Sequence, residues 1–546
     1  MKTDDDARAA KRRPQARLRA VEEGPHPIAE WASLFGDLSR RPPTSPRASA
    51  PVEWRIHDKT HLEFAIDYPV QERGEAYVWE AYFFVPESFR LQEDTYDKKA
   101  IYDDLWSYVR WAPPEVELST LSSREAGSTL AEVSRTLSDA RGVAEGSPEA
   151  RAALRTLRLF ACEVRAAGVP AMRDIDAALE GGGAEAEVFA VIGPFTAGIS
   201  EVGRALRATL AEHEGDALPS DVTTAMSWVD EDVSLVLETL AATVGVTVEG
   251  FAEHLPALHE VGERLAATAV AEARHRKERG LDSVGHAGAS LREVEHLEFR
   301  RHVLKRFTSS VLWLKLEVQN GAAWVLHTFY AIAAAVAMAF ALAASVHVTP
   351  MTEDVLRYGL LVVVAYVVKD RMKALLQSVF AGWISRRFPD RSWTIEDKER
   401  GRLVGRVRER AGFLSFRALP PEVLAARRVT RAHDLEESAR PERVLWHQKR
   451  VRLAPRAPST EHANFPMMTE IFRLDVHRWL DHTDDPNRTI VFADPDDARV
   501  YSATARRVYN VNVVYRLTRG DGGGPWGRLR VVVSRKGIER IDSILT

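Results

Sequence analysis

Residues Gly321 to Val348 read GAAWVLHTFYAIAAAVAMAFALAASVHV, a run without Asp, Glu, Lys or Arg, with His327 and His347 near its ends. At 1.5 Å per residue a helix of this run is about 42 Å long, more than the ~30 Å hydrocarbon core of a bilayer. Trp324 and Tyr330 stand toward one end, where amphipathic rings favour the interface. The run is therefore read as transmembrane helix 1, over 321–348. Pro350 breaks it, and Val355 to Val368 (VLRYGLLVVVAYVV) follows. This second run is only about 21 Å as a helix, but Arg357 near its start can snorkel, with Glu353 four residues earlier to pair. It is read as transmembrane helix 2 over 355–368, after an outward loop at 349–354. A re-entrant segment or a β-branched core strand is the alternative.

Charge orients the pair. Arg300, Arg301, Lys305, Arg306 and Lys315 precede it, and Lys369, Arg371, Lys373, Arg386, Arg387 and Arg391 follow it. The loop offers only Glu353 and Asp354. The positive-inside rule then predicts an inner-membrane, multi-pass, bacterial-type protein with both termini cytoplasmic. No secretory apolar run occurs in the first fifty residues, so the hairpin is expected to act as its own insertion signal. Directly after the second run, Met372, Leu375, Leu376, Val379, Phe380, Trp383 and Ile384 share one helical face. Over 369–388 this predicts an interfacial amphipathic helix, with Lys369, Arg371, Lys373, Trp383, Arg386 and Arg387 as membrane-interface residues. Ala331, Ala335, Ala339 and Ala343 form a small-residue stripe for helix packing, with Ala333, Ala337 and Ala341 beside it.

Residues 1–50 are rich in Arg, Pro, Ala and Asp without an apolar period and read as a disordered tail. Over 51–118 the alternation in Leu62 to Ile66 and the aromatic run Ala76 to Val85, with Arg73-Gly74 between them, predict a β-hairpin, followed by a short helix over Ile101 to Val109. From 119 to 320 the period is helical. Ser147-Pro148 marks one start, with Gly168 as its stop, and Ser220 opens another helix. From 394 to 546 the pattern is mixed α/β, with strands such as Val508–Leu517 and Leu529–Ser534 joined through a glycine-rich tip. The fold class expected is thus a membrane-anchored α+β protein: a two-helix transmembrane hairpin between a helix-rich cytoplasmic region and a C-terminal mixed α/β region.

Across 546 residues, 45% hydrophobic and 28% charged with a net charge of -4, the composition is that of a globular protein. A mean hydropathy of -0.23 argues against a polytopic transporter. Charge is divided unevenly. Residues 1–320 carry 38 Lys+Arg against 53 Asp+Glu (-15), and Lys369 onward 35 against 23 (+12). That asymmetry suits docking of the two parts on one another, or of the second on an anionic leaflet. The single Cys162, set among Leu159, Phe160 and Val164, excludes a disulfide framework and reads as core.

No P-loop, dinucleotide fingerprint or GxSxG elbow is present, and the stretch at His259-Glu260 fails the zincin pattern because residue 263 is Glu. His254, His259 and His275 are read as surface positions. The one cluster with metal-ligand chemistry is Asp475, His477, Asp481 and His482, where Asp475 and His477 would share a strand face. With Asp484-Asp485-Pro486-Asn487 it reads equally as a turn. No catalytic residue and no cofactor are assigned. The expected function is a non-enzymatic scaffold or signalling component that contacts membrane lipid and a protein partner or second copy, with no nucleic acid. The alternatives are a membrane-associated enzyme acting on a lipid or small molecule, and a small channel or transporter subunit.

Overall fold

Strand-forming runs from both ends of the chain meet in one sheet. The computed structural model describes residues 52–70, 74–114, 116–181, 185–319, 321–348, 355–428, 442–455, 465–496, 499–520 and 522–544. The tail at 1–50 and the loop at 349–354 lie outside the described residues. In chain order the elements are β1 (Val52–Ile56), β2 (His61–Pro69), β3 (Ala76–Pro86), α1 (Lys98–Asp103) and β4 (Leu105–Trp111). Then come α2 (Thr129–Asp139), α3 (Pro148–Glu180), α4 (Glu185–Ala211), α5 (Ser220–Gly250), α6 (Ala257–Glu278) and α7 (Leu291–Ser309). After β5 (Trp313–Gln319) follow α8 (Gly321–Val348), α9 (Val355–Arg387), β6 (Arg391–Asp397), β7 (Arg402–Leu414) and α10 (Pro421–Arg428). The chain finishes with β8 (Glu442–Leu453), β9 (Met467–Asp475), α11 (His477–Leu480), β10 (Asn487–Asp494), β11 (Arg499–Arg506), β12 (Tyr509–Arg519), β13 (Gly527–Ser534) and β14 (Gly537–Ile544).

Two compact units result, one built on Ala50–Val109, Leu314–Ala457 and Met468–Thr546, the other on Arg110–Trp313 with Pro458–Met467. The first holds a 12-stranded sheet in the order β1-β2-β9-β4-β5-β6-β7-β8-β3-β12-β13-β14. It is nearly closed into a barrel: β14 returns beside β1, and the Ile538 N–H donates to the Lys59 carbonyl at 2.6 Å. Alternation sends Phe64, Trp79, Phe472 and Tyr515 inward as a connected cluster of rings, with Tyr68 against Tyr77 and Phe83 against Trp479. On the outer side α10 packs Val423 and Ala426 over Tyr82, Phe84, Val444 and Val514. Gly537 sits at the closing point with φ of +132°, and a Cβ there would collide with the Lys59 carbonyl. Gly537→Ala is therefore expected to lower stability by about 2 kcal/mol, read as an earlier urea midpoint of the sheet unit; an unchanged midpoint would remove this contact from the closure.

The expected fold class is corrected here. The segments 51–118 and 394–546 are not separate regions flanking a membrane hairpin, because their strands interleave: β3 lies between β8 and β12, and β9 between β2 and β4. The expected β2–β3 hairpin does not form for the same reason. Alternation specifies that a strand exists, not which strand it pairs with. Ile101–Val109 is not one helix but the end of α1 followed by β4. The two-span hairpin is not supported either. Among the described residues two helices are long and apolar enough to cross a membrane, one containing His327–Ala344 and the other α5, which is a largely buried core helix. The second expected span is instead the opening of the 33-residue α9, which runs unbroken through Lys369, Asp370, Arg371 and Lys373 to Arg387. The expected interfacial helix is part of that same helix.

The helical unit starts α3 after Ser147 and α5 at Ser220, as the sequence suggests. Ser128, Ser147 and Ser290 each accept the N–H three residues on, and Ser290 with Glu293 completes a capping box. Gly168 does not stop α3, which continues to Glu180. A Cβ at Gly168 would run into the Leu240 side chain, so the glycine is a notch for the close crossing of α3 and α5. On α5 three consecutive acids fan out at about 100° steps to four neighbouring helices. Asp230 takes His275 of α6 at 2.7 Å and Arg207 of α4 at 3.3 Å. Glu231 takes Arg300 of α7 at 2.7 Å, and buried Asp232 takes Arg165 of α3 at 2.7 Å and the Thr308 hydroxyl at 2.8 Å. Helices α3, α4, α6 and α7 are thus keyed to α5 by a charge as well as by packing.

Candidate functional site

Three places in the structure could carry function: the surface of α8 and α9, the polar interior of the barrel, and the Asp/His segment after β9. The first follows from composition. The two helices pack along one another, with Ala333 and Ala337 buried at 0% and 2% exposure and Phe329 against Phe380 and Trp383 at 5.1 and 5.6 Å. Ala331, Ala335, Ala339 and Ala343 are not the residues buried in this packing; the neighbouring pair is. Around the rest of both helices large apolar groups face outward. Ile332, Val336, Met338, Phe340, Leu342 and Val346 do so on α8, and Leu360, Val363, Val364, Val367, Leu375 and Val379 on α9. An apolar surface so extended on a folded chain marks a contact with something other than water. Lys369 lies over the Tyr366 ring at 3.8 Å and 3.4 Å from Asp370, Arg371 is exposed, and Arg387 reaches over the half-exposed Trp383 ring at 5.9 Å. Lys373 is exposed on the same helix. The Arg386 side chain lies outside the described residues.

The barrel interior was not anticipated. Lys449 on β8 is fully buried, directly opposite Glu409 on β7, with Nζ 3.0 Å from the Glu409 carboxylate. It also bonds Glu470 on β9 and the Ser107 hydroxyl on β4. The Tyr68 hydroxyl donates to the other Glu470 oxygen at 2.9 Å. Burial disfavours the Lys449 ammonium, but the two carboxylates outweigh it and hold its pKa above the usual lysine value. Burial raises the Glu409 carboxyl, and Lys449 only partly offsets this because it is shared with a second carboxylate. Burial and the Glu470 charge hold the Tyr68 phenol well above 10 and so protonated.

His447, two residues before Lys449 on the same face, stacks on Phe472 at 5.0 Å with both ring nitrogens lacking a hydrogen-bond partner. Burial and the Lys449 charge depress its pKa well below 6.5, so its imidazole is neutral. The signal for this cluster lay in parity: Lys449 shares its strand face with Leu445, Val451 and Leu453, and Glu409 with Val407 and Ala411. A charge on the apolar phase of a strand is the mark of a paired buried ion.

The Asp475, His477, Asp481 and His482 candidate is not brought together as the strand reading required. Asp475 ends β9, and His477 opens the short α11 with its N–H donating to the Asp475 carboxylate at 2.8 Å. The imidazole that approaches Asp475 is that of His61, at 3.9 Å. Among the described residues no group of three His, Cys, Asp or Glu is placed to hold a metal ion. Cys162 is buried, its thiol donating to the Thr308 carbonyl at 3.3 Å and pushed up to about 12 by burial. His259 is exposed beside Glu249, whereas His275 is not a free surface group: it is held on Asp230 by the ion pair already described. Compared with known protein families, curated proteins and solved structures, the chain shows no significant match.

Proposed function

We propose that this chain is a non-enzymatic scaffold that attaches to membrane lipid through the outward apolar surface of α8 and α9 and presents its two folded units as platforms for protein contacts. The observation that carries the reading is that surface itself. It belongs to a 28-residue helix without Asp, Glu, Lys or Arg and to the partner helix packed along it. Lipid suits such a surface better than a protein partner, because apolar groups face out around both helices rather than along one stripe. The basic groups Lys369, Arg371 and Lys373 on α9 add attraction to anionic headgroups, worth roughly 1 kcal/mol each. The reading asks for lipid contact by this surface and not for two spans.

The barrel interior supports a scaffold over a catalyst. An ammonium held charged between two carboxylates is no nucleophile, and a phenol held protonated is no base. In flotation with vesicles containing anionic lipid, the full-length chain is expected to rise with the lipid. Val336→Asp with Leu342→Asp is expected to weaken that association about a hundredfold, since two apolar side chains and their burial are lost. Equal flotation of the variant, or a wild-type chain that stays at the bottom of the gradient, would reject the proposal.

A further inference from the structure

Strands β10 and β11 form a two-stranded sheet of their own, bonded to no other strand among the described residues. Eight residue pairs run from Asn487↔Arg506 to Asp494↔Arg499. The ribbon is fixed at its base, where the Arg507 N–H donates to the Pro486 carbonyl at 2.7 Å and Arg506 pairs with Glu539 at 2.7 Å. Above that base every residue from Asn487 to Ala493 is exposed, including Ile490, Val491 and Phe492, and so are Val500 and Tyr501 opposite. An isolated two-stranded ribbon is marginal in water, and an open edge beside bare apolar groups is a template for another strand.

We infer that the open edge of β10 pairs antiparallel with β10 of a second copy of this chain, joining two ribbons into one four-stranded sheet. The sequence of the edge is self-complementary about Val491. A twofold axis there sets Val491 against its copy, Ile490 against Phe492, Thr489 against Ala493, and Arg488 against Asp494 at both ends. Arg488, Ile490, Phe492 and Asp494 share one face, so the apolar pairs are flanked by opposite charges. Slipping by two residues would set Ile490 against Asp494, or Arg488 against Phe492. The β11 edge carries no such match, because it has no acidic residue to set against Arg499 or Arg506 in any self-pairing. Among the described residues Arg488 has no ion-pair partner, while Asp494 faces Arg499 across the hairpin and accepts the Asp496 N–H at 2.9 Å.

The test is a charge exchange on the full-length chain in detergent, read by sedimentation. Wild type is expected to sediment as a dimer. Arg488→Asp puts acid against acid at both ends, and Asp494→Arg puts base against base, so each alone is expected to dissociate at least tenfold more readily. Mixed together, the two variants restore opposite charges at both ends and are expected to form a mixed dimer more stable than either variant forms with itself. The double variant Arg488→Asp with Asp494→Arg restores both ends and is expected to dimerise as wild type does. Those recoveries also show that neither variant was simply misfolded. A monomeric wild type, single variants that dimerise as wild type does, or a double variant that stays monomeric would each overturn the inference. None of these outcomes depends on lipid attachment.

Discussion

Replacing Lys449 by methionine is expected to lower the unfolding free energy of the sheet unit by about 3–5 kcal/mol, the usual cost of removing one member of a buried ion pair. The variant leaves Glu409 and Glu470, 3% and 2% exposed, facing each other without their shared cation. The hydrophobic gain of a methionine is small beside two desolvated charges. Because the orphaned carboxylates would have folded pKa values raised above their unfolded ones, the lost stability should return as pH falls from 7 toward 5. Adding Glu409→Gln and Glu470→Gln to Lys449→Met should recover most of the deficit at pH 7. The urea midpoint followed by fluorescence of the buried Trp79 and Trp393 reads both effects. A Lys449→Met chain with the wild-type midpoint would show that the ammonium is not the charge that keeps these carboxylates buried.

The second large effect belongs to the helical unit. Glu163 on α3 is 2% exposed, one of its carboxylate oxygens has no partner, and burial pushes its pKa up to about 7 against a hydrogen bond from Thr129. A carboxyl whose folded pKa is raised contributes stability that is full below its unfolded pKa, near 4.5, and is lost as pH rises through 7. Each tenfold change in acidity between those limits is worth about 1.4 kcal/mol, so roughly 3 kcal/mol disappears across them. Glu163→Gln should therefore match wild type near pH 4.5 and be more stable by up to about 3 kcal/mol at pH 8. Denaturant midpoints of both proteins across that pH range decide it. Parallel pH profiles would mean that Glu163 stays charged in the folded chain.

What the sequence made legible was local. The helix starts at Ser147 and Ser220, the pairing of β12 with β13 across the glycine-rich tip, and the core placement of Cys162 all depend on residues close together in the chain. What it hid was partner choice. β3 is bonded to β8 on one side and β12 on the other, and nothing in Ala76 to Pro86 distinguishes these from β2. The charge-rich strands were misleading in a specific way. Arg406, Arg408 and Arg410 of β7 and Arg450 and Arg452 of β8 occupy the outer phase, so Glu409 and Lys449 on the largely apolar inner phase did not stand out among so many charges, and their pairing was hidden until register was known. Gly168 misled for a related reason, since a helix stop and a helix-crossing notch call for the same residue.

The interleaved sheet has a consequence for how the polypeptide is made. β3 leaves the ribosome about 350 residues before β8 and more than 400 before β12. At 5–20 residues per second its two hydrogen-bonding flanks wait roughly 20–70 s for the first of those strands. During that interval Tyr77, Trp79, Phe83 and Phe84, all buried in the finished protein, have no native cover. Most of the helical unit can close meanwhile, because its main segment Arg110–Trp313 is contiguous and only Pro458–Met467 joins it later. Production of this protein is therefore a two-tempo process: an early, nearly complete bundle, and a sheet whose first-born strands must be sheltered from neighbouring nascent chains until the last third of translation supplies their mates.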